Sequence, residues 1–162
     1  MEENKGLLLK CAMSYGLAMG IYWVIKYLFL IFGYSIPSLI FIYEGLSLAV
    51  PLIAYYLTKR YRQDIGGSIS FFHAWRFGIM LYFFAALIVS IEHFIFFQAI
   101  VALKNADFNS EVIEAISRTN FTPIHMAIQG IFNNIFYGII LSIPVAALVC
   151  RKQTASPVSE EK

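Results

Sequence analysis

The sequence predicts an all-α integral membrane bundle of four transmembrane helices. Three observations carry this reading: a composition too apolar for a water-soluble domain, four apolar runs long enough to cross hydrocarbon, and basic residues gathered in alternate loops. The 162 residues are 59% hydrophobic and 14% charged, with a mean hydropathy of +0.70. An ordinary soluble domain carries about 25% charge. Crossing a bilayer takes roughly 20 apolar residues, and such runs lie near 7–32, 36–58, 71–103 and 122–149. Residues 1–152 therefore read as one four-helix transmembrane domain, and the polar segment 153–162 as a disordered tail.

The first run reads as a retained span. It begins MEENK, with two acids; it is too long for the apolar part of a signal peptide, and no small-residue cleavage pattern follows it. Cys11 and Cys150 mark the start of the first span and the end of the last, so an even number of crossings puts both on one side. On a cytoplasmic side they are expected to stay reduced. Two cysteines at these positions suggest neither a structural disulfide nor a metal site.

Charge gives the orientation. Lys5, Lys10, Lys59, Arg60, Arg62, Arg76, Arg151, Lys152 and Lys162 fall on one side, against Lys104 and Arg118 on the other. The positive-inside rule then places both termini in the cytoplasm. Between the second and third spans, Gly66 and Gly67 permit a turn, and Ser68 or Ser70 caps the next helix. The basic loop holding this motif is suited to resting on anionic headgroups. On the external side, "NSEVIEAIS" reads as a short amphipathic helix starting after Asn109 or Ser110, with Val112, Ile113 and Ile116 on one face. Thr122 followed by Pro123 marks the cap and first position of the fourth span.

Helices in lipid lose most of the hydrophobic incentive to associate, so small residues must let them approach closely. Ala12, Gly16 and Gly20 recur every four residues in the first span, and Gly45 and Ala49 repeat that spacing in the second. Ala74 and Gly78 serve the third; Gly130 and Gly138 serve the fourth. Pro51 and Pro144 each remove a backbone hydrogen bond inside a span and should bend it. Their similar distances from Lys59 and Arg151 hint at a duplicated helix hairpin.

The most informative feature is a set of polar residues deep in the spans. Glu44 costs about 3 kcal/mol at mid-span, which the surrounding aliphatic residues offset, so the second span still inserts. Lys26 and Glu44 each lie about 13 Å along their helices from the turn that joins them, which predicts contact between them. Glu92 and His93 in the third span and Gln129 and Asn133 in the fourth fall at a similar depth, with His125 nearer the membrane surface. The layer of Lys26, Glu44, Glu92, His93, Gln129 and Asn133 has two readings. It is a buried network fixing helix register, or a binding position for a proton, cation or small solute.

No enzymatic motif is evident. Glu92 and His93 are adjacent, not spaced as a zinc-binding HExxH face, and His73, His93 and His125 stand at three different levels. Neither a phosphate-binding loop nor a nucleophile elbow is present. No catalytic residue, metal or cofactor is expected, and nucleic acid is not an expected partner.

MEENK ahead of a glycine-containing span, "GGSISFFHAWRFG" opening the third span, and an acidic external segment before "FTPIHMAIQG" together resemble the domain of unknown function 4199 family. The resemblance covers nearly the whole chain and rests mainly on the Gly-Gly turn, Ser70, Phe71, Ala74, Phe77 and Gly78. It implies a small bacterial membrane protein, of a kind found mostly in Bacteroidetes, with four helices. It supplies no catalytic residue to carry over.

The expected role is an accessory or partner-binding membrane protein whose partners are the lipid bilayer and either a second copy or another membrane protein. The competing expectation is a small transporter or channel subunit that uses the polar layer.

Overall fold

A computed structural model describes residues 5–33, 36–105 and 122–150. They form α1 (Lys5–Gly33), α2 (Ser38–Asp64), α3 (Phe71–Asn105) and α4 (Pro123–Cys150), with no strand among the described residues. All four are long and apolar enough to cross a membrane, and the chain is a multi-pass membrane protein. The expected external helix after Asn109 and the expected tail at 153–162 lie outside the described residues.

Helix ends follow local chemistry. α2 runs past the apolar stretch through Lys59–Asp64, because nothing there breaks a helix until the glycines. Gly66 and Gly67 take φ of +98° and +84°, where a side chain is strained. Their amides donate to the Gln63 and Arg62 carbonyls at 3.1 and 2.8 Å, closing the helix. α3 then starts on Ser70, whose Oγ accepts from the His73 amide at 3.3 Å. Thr122 does the same for α4 through the His125 amide at 3.3 Å, with Pro123 in the first helical position.

α3 packs most extensively on α4 and next on α1, while α2 touches α1 and α4 and only slightly α3. The order around the bundle is therefore α1, α2, α4, α3. The two hairpins lie side by side, with α1 beside α3 and α2 beside α4.

Close approach occurs where glycine meets a partner's backbone-proximal atoms. A Cβ at Gly16 would stand 2.5 Å from the Phe84 Cβ, and one at Gly20 would stand 2.8 Å from the Ile88 Cβ, both on α3. Across the α3–α4 seam, a Cβ at Gly78 would meet the Ser142 Cβ at 2.5 Å, and one at Gly138 the Tyr82 Cβ at 2.5 Å. Gly130 is looser, with the His93 ring 3.5 Å from a Cβ built there. Gly45 corrects the sequence reading: nothing lies within 4 Å of it, because the side of α2 that carries it faces away from the bundle.

At the basic end, where Lys59, Arg60, Arg62 and Arg76 gather, side chains tie α2 to its neighbours. Arg62 donates to the Val149 carbonyl of α4 at 2.6 Å, and the Tyr15 hydroxyl of α1 donates to Asp64 at 2.6 Å. Tyr61 is fully buried, stacks on Phe77 with centroids 4.0 Å apart, and shares a 2.7 Å hydrogen bond with His73. Trp75 of α3 donates from its indole to the Ile139 carbonyl of α4 at 3.1 Å.

Candidate functional site

Near mid-bundle the four helices line a partly open cavity of about 290 Å³. α1 supplies Trp23, Lys26 and Tyr27 at i, i+3 and i+4, which puts all three on one face. α2 adds Tyr43, Ser47 and Pro51, α3 adds Tyr82, and α4 adds Asn134 and Tyr137. The Tyr22 hydroxyl donates to the Leu46 carbonyl at 2.6 Å and pins α1 to α2 beside this wall. Ser47 Oγ turns back to the Tyr43 carbonyl at 2.8 Å.

Lys26 is the charged group of the cavity and is only 8% exposed. Its ammonium stands over three rings, 4.8 Å from the centroid of Tyr27, 5.1 Å from Tyr43 and 6.0 Å from Trp23. Ring faces attract a cation, each by about 0.5–2 kcal/mol, which offsets part of the cost of burying it. Among the described residues no carboxylate lies within 4 Å of that ammonium. Beside it, Trp23 Nε1 and Tyr82 Oη are buried without a hydrogen-bond partner among the described residues, and the two rings lie with centroids 5.5 Å apart.

The polar layer expected from depth is only partly assembled. Glu92 and His93 are in the bundle, with His93 Nδ1 2.6 Å from a Glu92 carboxylate oxygen and the two side chains 18% and 14% exposed respectively. Tyr27 links this pair to the cavity, its ring edge-on to the His93 ring at 4.8 Å. Glu44, Gln129 and Asn133 do not join; all three are exposed. On α4, Gly130, Asn134, Gly138 and Leu141 take the inward sides, which turns Gln129 and Asn133 outward. On α2, Tyr43, Ser47, Val50 and Ala54 face in, and Glu44 is rotated out from under Tyr43. Glu44 is near enough for its charge to act on Lys26, yet the predicted contact is not made.

The three histidines remain apart. His73 pairs with Tyr61, His93 with Glu92, and exposed His125 sits 3.1 Å from the Thr122 hydroxyl. No cluster of three metal-ligating side chains occurs among the described residues.

The family described as "Protein of unknown function (DUF4199)" matches residues 14–151, which takes in most of α1, the other three helices, the glycine turn and the cavity. The chain belongs to the DUF4199 family. No curated protein and no solved structure matches it.

In this DUF4199 member, sequence reasoning missed Trp23, Tyr27, Tyr43, Ser47, Tyr82, Asn134 and Tyr137. A signal was available. Trp23, Lys26 and Tyr27 share a helical face, as do Tyr43, Ser47 and Pro51, and so do Asn134, Tyr137 and Leu141. Choosing charged, amide and imidazole groups by their depth passed over the aromatic groups that hold the lysine.

Proposed function

We propose that this chain is an accessory protein of the bacterial inner membrane, with both termini cytoplasmic, that docks another membrane protein on the outer face of α2. The observation that carries this reading is Glu44, an acid exposed in the middle of a span and joined to no cation among the described residues. A carboxylate facing lipid at that depth costs about 3 kcal/mol, and a partner helix with a basic or amide side chain would remove the cost.

The surroundings suit a helix. Gly45 leaves open space beside Glu44, and Phe41, Leu48 and Leu52 share this side of α2 at 81%, 80% and 69% exposure. Charge favours a different protein over a second copy. The one cation within this chain's described mid-span regions, Lys26, is buried inside the bundle, so a second copy would present no exposed cation to Glu44 there. The gathering of basic residues at the end where α1 and α3 begin supports the cytoplasmic assignment of that end.

A photo-crosslinking residue at Leu48 in native membranes should give an adduct heavier than the chain but not a multiple of it, and Glu44→Gln should abolish it. A dimer-mass adduct would assign the face to a second copy, and adducts equal to those from exposed Ile91 on α3 would refute docking. A second reading, as a transporter or channel subunit, draws on the cavity and the nearby Glu92–His93 pair. Under it, the folded Glu92→Gln protein would lose a proton or cation flux in proteoliposomes. Wild-type vesicles with no flux above protein-free vesicles would exclude it.

A further inference from the structure

We propose that the cavity beside Lys26 binds an anionic oxygen group, a carboxylate or phosphate, carried either by an amphiphile entering from the bilayer or by a soluble anion. This inference is independent of docking at Glu44.

Three side chains that carry donors, Lys26, Trp23 and Tyr82, line the cavity. Lys26 is more than nine-tenths buried, and the side chains of Trp23 and Tyr82, 3% and 1% exposed, each keep a buried donor atom with no partner. Buried donors in folded proteins are paired almost without exception, so two unpaired donors beside a buried ammonium with no carboxylate within 4 Å among the described residues point to an occupant that accepts hydrogen bonds. Water could serve the indole and the phenol. It would not balance the charge, and a cation this deep in a membrane bundle calls for an anion.

The chain's own acids do not meet that need. Glu44 stands on the exposed side of α2 beyond ion-pair distance, and Glu92 is held by His93 at 2.6 Å. The three rings around the ammonium disperse its charge but accept no strong hydrogen bond, which leaves N–H groups free to donate. Val50, Pro51 and Leu141 complete the wall with apolar surface, as suits a head group followed by a short length of chain. At about 290 Å³ the space is at the small end of ligand pockets.

Trp23 reports on its own site. The chain has two tryptophans, so Trp75→Phe leaves Trp23 as the single indole. This protein, in nanodiscs of uncharged lipid, would be titrated with dodecanoate, dodecanol, inorganic phosphate and acetate while Trp23 emission is followed. Dodecanoate should produce a saturable change, with dodecanol weaker by about tenfold or more, the effect of losing a charge-assisted hydrogen bond. Lys26→Gln should weaken binding by a similar factor, and Lys26→Arg should retain it. Saturation by phosphate or acetate, with no gain from the alkyl chain, would assign the same chemistry to a soluble ligand. Dodecanol matching dodecanoate, unchanged binding in Lys26→Gln, or no response to any probe would overturn the proposal. If Lys26→Gln fails to fold, Tyr82→Phe keeps the ring and removes one donor; unchanged affinity there would overturn it equally.

Discussion

Gly78 sits at a close approach of α3 and α4, and a single added methyl there meets the Ser142 Cβ at 2.5 Å. That carbon is fixed to the backbone and cannot swing aside, so the helices themselves must separate. Gly78→Ala should therefore destabilise the protein by about 1–3 kcal/mol, the usual cost of overpacking, read as a lower thermal midpoint in detergent. Gly45→Ala has open space and should be neutral, or stabilising by up to about 1 kcal/mol through better helix propensity. Equal effects at the two sites would contradict the assignment of faces. Sequence spacing marked both glycines as small positions, but spacing alone does not say which side of a helix meets a partner. The same limit separated Lys26 from Glu44. Counting residues from the turn fixes height, and both side chains are near enough to interact electrically. It leaves the angle around the helix open, and that angle puts Lys26 among aromatic rings and Glu44 outside.

α2 is the least covered of the four helices and is held mostly at its basic end. Arg62 reaches the Val149 carbonyl, Tyr61 stacks on Phe77, and Asp64 receives the Tyr15 hydroxyl. The other half presents Phe41, Glu44, Gly45 and Leu48 outward. This division leaves one half anchored and the other available to a partner. Helix ends were the most legible elements, because their chemistry is local: glycines that tolerate positive φ stop α2, and hydroxyls that accept from the third amide start α3 and α4. Ser70→Ala should cost about 1 kcal/mol by leaving the His73 amide without its cap, measurable as a lowered thermal midpoint, while Ser68→Ala should change nothing. The reach of α2 to Asp64 was not legible from hydropathy, which ends with the apolar run although the charged residues beyond it are still helix formers.

Across the whole molecule, four membrane-spanning helices are arranged in the order α1, α2, α4, α3, so α2 has α1 and α4 as its neighbours and little contact with α3. Composition alone gave the number of helices, since only long apolar runs can satisfy their backbones in hydrocarbon. The packing order was beyond it, because each span carries small residues and only shape decides which faces meet. The cavity arises from that order: it needs α1 and α2 to bring Lys26 and Tyr43 together while α3 and α4 close the far side. Both the exposed acid and the enclosed lysine depend on the same rotation of α2 about its axis. Nitroxide labels at single cysteines along α2, with Cys11 and Cys150 replaced and the purified chain in nanodiscs, measure that rotation directly. Oxygen accessibility should be high at positions 44, 48 and 52 and low at 50, 54 and 58; the reverse pattern, or uniform values along the helix, would contradict it.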